Sequence, residues 1–300
     1  MKKVSILHLL APAKNASPFD VNMAFDAGFD NIMPYTNVAL NEVTGLVQDA
    51  IFSRSPSGVK LEGIFIGGRD IDLAMDMLDA AKKAMFAPFE CSLFADPSGA
   101  FTTAAAMVAK VENQLKKHFK TNLAGKKIAI FGATGPVGGC AAVIAAKQGA
   151  EVLMVSHKSL ADVNQKVQSY NQRYGIVLNS VDGATDNSKQ AVLAQVDVAL
   201  CCAAAGVRVL NAQQIAKAKS LKIIADVNAV APTGAEGVEA VADGVAIGST
   251  KVIGIGALAI GNLKYATQHN LLAQMLTTDK PSYLEFMAAF AMAQSLASGK

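Results

Sequence analysis

The stretch "KKIAIFGATGPVGGCAAVIAAKQGA", residues 126–150, decides the fold. An apolar run ends in three glycines spaced G-x-x-G-x-x-G, and an alanine-rich segment follows them. That order predicts a buried strand turning sharply into a helix over 136–148. Gly132 permits the tight turn, Gly135 lets backbone approach a pyrophosphate, and Gly138 lets the helix lie against the sheet. Amides at the helix start, backed by the helix dipole, then face the anion. Thr134, Pro136 and Val137 complete the predicted cofactor turn. No Gly-Lys-Ser/Thr follows, which excludes a P-loop.

Downstream, "EVLMVS", "IVLNSVD", "DVALCCAA" and "KIIADVNAV" alternate with helical segments over 159–174, 187–195 and 211–219. This succession predicts a Rossmann domain. A carboxylate about 20 residues past the glycines would bind the ribose hydroxyl of NAD. Here the second strand ends in Ser156, His157 and Lys158 instead. A hydroxyl, an imidazole and an ammonium favour the 2′-phosphate of NADP, while nothing in that trio repels NAD. Ala203 and Ala204 after the fourth strand, and Asp226 and Asn228 after the fifth, are further candidates for the cofactor site. Turn chemistry is the equal alternative for the last two.

Upstream, "KVSILHLL", "NIMPYTN", "EGIFIGG" and "FECSLFAD" alternate with helices, the first of them capped by Ser17 with Pro18 at its first position. Such alternation predicts a second parallel α/β sheet. The boundaries expected are 1–122 for this domain, 123–257 for the Rossmann domain, and 258–300 for two terminal helices returning to the first domain. The Gly/Pro/Ala-rich passage 231–257 shows no clear element.

Composition narrows the class. The chain has 300 residues, 52% hydrophobic and 17% charged, with net charge +3. These values point to a well-buried globular protein and against a nucleic-acid partner. No apolar run reaches membrane-spanning length, and the N-terminus reads as a strand rather than a signal peptide. Cys91, Cys140, Cys201 and Cys202 form no C-x-x-C pair and suit a reducing cytoplasm. His8, His118, His157 and His269 share no metal spacing, so no metal is expected.

"SPFDVNMAFDAG", "PYTNV", "GIFIGG", "FADPSGAFTTAAAMVA", "ADVNAVAPTGAEG" and "IGIGALAIGNLKYATQ" together resemble the NAD(P)-dependent methylene-tetrahydromethanopterin dehydrogenases of methylotrophic bacteria. The likeness runs over almost the whole chain. It implies hydride transfer from the methylene carbon of the pterin carrier to NADP or NAD, within formaldehyde oxidation. It also implies a pterin-side domain, a cleft facing a Rossmann domain, and a homo-oligomer. The similar methylene-tetrahydrofolate dehydrogenase/cyclohydrolases use a Tyr-x-x-x-Lys lysine. Here the residue four past Tyr35 is Ala39, which argues against cyclohydrolase activity.

Hydride loss from a carbon between two nitrogens needs no proton transfer, so no acid–base dyad is expected. Lys14 and Asp20 fall at the carboxyl end of the first strand, where ligands of parallel sheets sit. The loop "ADPSGAFTT" offers Asp96, Ser98, Thr102 and Thr103 for substrate, with helix capping as the competing role. Lys264 lies in an apolar helix, and the resemblance carries a lysine there. It is assigned with Asp20 to the reacting centre, holding a pterin carbonyl. A methylene-tetrahydrofolate dehydrogenase, a non-catalytic NADP sensor and a shikimate-type dehydrogenase remain as alternatives.

Overall fold

A computed structural model describes residues 4–299. From the amino terminus it runs β1 (Ile6–Leu10), α1 (Pro18–Asp26), β2 (Asn31–Tyr35), α2 (Val43–Phe52), α3 (Pro56–Val59), β3 (Glu62–Ile66), α4 (Ile71–Ala84), β4 (Ser92–Ala95) and α5 (Ala100–Phe119). The glycine turn then joins β5 (Lys127–Phe131) to α6 (Pro136–Lys147). Next come β6 (Glu151–Ser156), α7 (Leu160–Tyr174), β7 (Leu178–Asp182), α8 (Asp186–Leu193), β8 (Val198–Cys201), α9 (Ala212–Lys217) and β9 (Ile223–Asp226). The last elements are β10 (Asp243–Ala246), β11 (Ile253–Ile255), α10 (Ala257–Thr277), β12 (Tyr283–Leu284) and α11 (Phe286–Ala297).

The chain forms two compact units, one of Met1–Thr102 with Tyr265–Met292, the other of Thr103–Lys264 with Ala293–Lys300. All three divisions fall inside helices, α5, α10 and α11, and not in a loop. In the first unit five parallel strands lie in the order β12-β4-β3-β1-β2. The order reverses between β1 and β3, the switch point beside which ligands of such sheets bind. Ser17 caps α1 by accepting from the Asp20 amide, with Pro18 in the first turn, as the sequence predicts.

All five residues of β3 are buried, as the inner strand of a parallel sheet requires. One of them is charged. Glu62 is 2% exposed, pairs with the Arg54 guanidinium and lies 2.9 Å from Nε2 of His8. The other ring nitrogen of His8 is 3.2 Å from the Tyr35 hydroxyl. Burial, then the Glu62 and Asp49 carboxylates, push the pKa of that hydroxyl up.

The second unit is a seven-stranded sheet ordered β10-β11-β9-β8-β5-β6-β7. Without β10 this is the Rossmann order, reversing between β5 and β8. Its core packs Val192, Leu193 and Ile215 on one face against sheet residues such as Ala129, Ala199 and Ile224.

Two expectations need correction. The passage 231–257 holds β10 and β11, an antiparallel pair that completes the sheet. Its strands are three or four residues long and contain glycine, so neither periodicity nor β-propensity marks them. Gly254 packs closely there: a Cβ on it would stand 3.1 Å from the Ile247 side chain, which would have to give by a few tenths of an ångström. The second of the two terminal helices expected within 258–300 is preceded by β12, which pairs in parallel with Leu93 and Phe94, and helix begins only at Phe286. Sheet pairing overrides local helix propensity at those two positions.

Candidate functional site

The glycine turn is built on contacts that only hydrogen side chains allow. Gly132 has φ +77°, and a Cβ on it would lie 2.5 Å from the Cys202 carbonyl group. A Cβ on Gly138 would fall 2.9 Å from Cα of Ala133 and overlap the Gly132 carbonyl oxygen still more closely. The first holds the turn against the end of β8; the second brings the head of α6 down onto the turn. Gly135 is the N-cap of α6 and brings no side-chain cap. The opening amides of α6 therefore keep their capacity for an anion.

Beside this turn lies a groove of about 530 Å³, a size that suits a cofactor. The groove lies wholly within the second unit. Of the cofactor residues expected from sequence, it brings together Gly132, Thr134, Gly135, Ser156, His157, Lys158, Ala203 and Ala204. Ser156 is buried and donates to Asp182 Oδ1 at 3.4 Å, while His157 and Lys158 are exposed. Valines 155, 163, 207 and 209 supply apolar walls. A dinucleotide fits this set: backbone amides for the pyrophosphate, an apolar slot for adenine, and cations for a 2′-phosphate.

Pro136, Val137 and Gly138 shape the turn without lining the groove. Asp226 and Asn228 do not line it either. Asp226 is 1% exposed and accepts from the amides of Asn228 and Ala235 at 3.0 and 2.9 Å. Burial pushes its pKa up in spite of those amides. Asn228 accepts from the Gly206 and Val230 amides and donates to the Pro232 carbonyl. Both side chains are thus committed to holding loops, the turn chemistry named as the alternative.

In the first unit Lys14 is exposed in the loop after β1, and Asp20 is buried in α1, where Gln268 Nε2 donates to its Oδ1 at 3.0 Å. Asp96 is 0% exposed. It accepts from the Phe101 and Thr102 amides at 2.9 and 3.1 Å and from the Thr102 hydroxyl at 2.6 Å. This pair caps the head of α5 and turns inward. Ser98 is exposed, holds φ +52°, and donates to the Gly68 carbonyl at 2.8 Å. A non-glycine residue kept in the left-handed region stores strain, which clusters at functional sites. Thr103 and Lys264 are half-buried and belong to the second unit.

The groove also contains residues that the sequence reading missed: Ser159, Asp162, Lys189 and Arg208. Lys189 Nζ donates to the Val209 carbonyl at 3.0 Å. Arg208 is held by the Thr233 carbonyl at 2.7 Å and by Glu236 at 3.2 Å. Of these only the Ser159-x-x-Asp162 spacing carries a local signal, that of a helix start.

One unit with the Rossmann strand order and a glycine cradle, and another built on a parallel five-stranded sheet, define the class as a two-unit α/β protein of the nicotinamide-dinucleotide-binding kind. The N-terminal family model of methylene-tetrahydromethanopterin dehydrogenase matches residues 18–98. An NAD(P)-dependent methylenetetrahydromethanopterin dehydrogenase of Methylorubrum extorquens is 46% identical over 293 residues, covering 98% of this chain and 99% of the relative. The bifunctional protein MdtA of the same organism is 31% identical, covering 88% and 89%. The chain belongs to the methylene-tetrahydromethanopterin dehydrogenase family. In fold it is also similar to shikimate 5-dehydrogenase of Listeria monocytogenes, with TM-score 0.51 and 15% identity over 94% of this chain and 95% of that one.

Proposed function

We propose that this protein oxidises methylene-tetrahydromethanopterin to its methenyl form, passing a hydride to NADP or NAD in one-carbon metabolism. The observation that carries this reading is that the 46% identity to the dehydrogenase extends through 98% of the chain, so it spans the nucleotide groove and the first sheet alike. A nicotinamide held in the groove would supply the hydride acceptor. The chain's own task is positioning, because the two nitrogens flanking the reacting carbon stabilise the cation formed. Donor and acceptor carbons must be held about 3–3.5 Å apart and water kept from the cation.

Under this reading the glycine turn and α6 hold the pyrophosphate, and Ser156, His157 and Lys158 take the adenosine end. The unit of residues 1–102 and 265–292 supplies the pterin side, so the boundaries expected at 122 and 258 move into α5 and α10, and the other unit serves as the nucleotide domain. Lys14, Ser98 and Thr103 anchor the carrier, while Asp96 and Thr102 shape their loop. Asp20 places negative charge toward the developing cation. An ammonium beside that cation would oppose hydride loss, so Lys264 donates to a pterin carbonyl instead. The four free cysteines favour a reducing, cytoplasmic setting. A homo-oligomeric assembly is part of the proposal.

The direct test is reduced-nicotinamide absorbance from purified protein with methylene-tetrahydromethanopterin and either nucleotide. Turnover with the methanopterin carrier is the expected result. Turnover with methylene-tetrahydrofolate alone would transfer the reading to that substrate. Lys264→Met should lower kcat/KM by about 10–100-fold, the loss of a charge-assisted hydrogen bond worth about 1.5–3 kcal/mol. An unchanged kcat/KM would remove Lys264 from the site.

A further inference from the structure

The family's nucleotide use poses a physical question at the end of β6. Rossmann proteins that accept NAD place a carboxylate there to bind the adenosine ribose diol, and this chain has Ser156. The carboxylate nearest in sequence along the groove wall stands six positions on, at Asp162 in the first turn of α7.

Its surroundings separate it from an ordinary helix-start acid. Ser159 is the N-cap of α7 and accepts from the Asp162 amide at 3.1 Å. A Ser-x-x-acid pair normally closes a capping box, the acid's side chain returning to the amide of the cap residue. That return bond is not made: among the described residues the Asp162 carboxylate accepts no hydrogen bond. It is exposed and lines the groove together with His157, Lys158 and Ser159. Asp182, the other acid nearby, already accepts at Oδ1 from Ser156 and from the Ala184 amide, and it does not line the groove.

We infer that Asp162 is the ribose-diol acceptor of this protein, displaced from the strand end onto the helix, and that it balances nucleotide choice against Lys158. Two free carboxylate oxygens can take the 2′- and 3′-hydroxyls of NAD. The same charge repels a 2′-phosphate carrying about −1.5 to −2 at neutral pH, while Lys158 attracts it. Acid and base at one end of one groove let both nucleotides bind and favour neither strongly. The inference rests on the dinucleotide reading of the groove and not on the pterin substrate.

The test is calorimetric or fluorescence titration of NADH and NADPH into wild type, Asp162→Asn and Asp162→Ala, with no pterin present. Both variants should move the NADPH-to-NADH affinity ratio at least tenfold toward NADPH, by weakening NADH, tightening NADPH or both. A ratio within threefold of wild type would overturn the assignment and leave Asp162 as a first-turn acid serving the helix dipole. That lesser role would instead lower the melting temperature slightly and affect both nucleotides alike. Failure of wild type to bind either nucleotide would overturn the dinucleotide reading of the groove itself, and the inference with it.

Discussion

Gly138→Ala should weaken NADPH binding by about 100-fold, close to 2.7 kcal/mol, and lower the melting temperature of the protein. The added methyl carbon would overlap the Gly132 carbonyl oxygen and come within 2.9 Å of Cα of Ala133. Both neighbours are backbone, so no flexible side chain can yield. The head of α6 must lift away from the turn, at an overpacking cost of about 1–3 kcal/mol. Lifting it also carries off the open amides that face the pyrophosphate, and these act only at hydrogen-bond range. NADH should suffer equally, since the pyrophosphate is common to both nucleotides. This distinguishes Gly138 from Asp162, whose replacement changes the ratio. Titration of both nucleotides, with thermal melts alongside, makes the measurement. A loss under threefold would mean that the glycine turn does not hold the dinucleotide.

That glycine turn was legible in the sequence because its function is local. Strand, three glycines and helix lie within residues 127–147, and each glycine's role follows from its spacing. Ser17 and Pro18 at the head of α1 could be read for the same reason. The rest of the groove is gathered by topology. Lys189 comes from α8 and Arg208 from the loop after β8, and neither carries a local mark of its destination. Asp162 did carry one, but the spacing pointed to capping, and only the unmade return bond shows that its carboxylate is available.

Capping and turn chemistry account for the residues placed differently. The sequence offers Asp96 and Thr102 for substrate with capping as the competing role, and they bond each other in the interior. Asp226 and Asn228 sit after β9 as expected but spend their hydrogen bonds on backbone. A sequence supplies donors and acceptors; partners depend on which backbone groups the fold leaves unsatisfied, and burial compels their pairing. The strands β10 and β11 were unreadable for a related reason, since sheet order decides their pairing and their few residues show no period.

The buried cluster around Glu62 is the extreme case, since His8 reaches it from 54 positions away, and breaking its Arg54 ion pair should have the largest effect on stability. Arg54→Met should cost about 3–5 kcal/mol, a large part of the total stability of about 5–15 kcal/mol usual for a protein. The Glu62 side chain is 1% exposed and meets Arg54 on one oxygen and His8 on the other. Methionine keeps much of the arginine's apolar stem but leaves one oxygen of a buried carboxylate without its charged partner. The loss of the Arg54 bond to the Val4 carbonyl adds little, because Val4 is exposed. Adding Glu62→Gln to Arg54→Met removes the stranded charge, so the double variant should recover at least half of the loss. Urea denaturation followed by circular dichroism measures all three differences. If arginine served only as packing, the second substitution would recover nothing and the ion-pair account would fail. Nucleotide affinity in the folded variant should stay within twofold of wild type, because Glu62 and Arg54 belong to the first unit and the groove is lined entirely by the second.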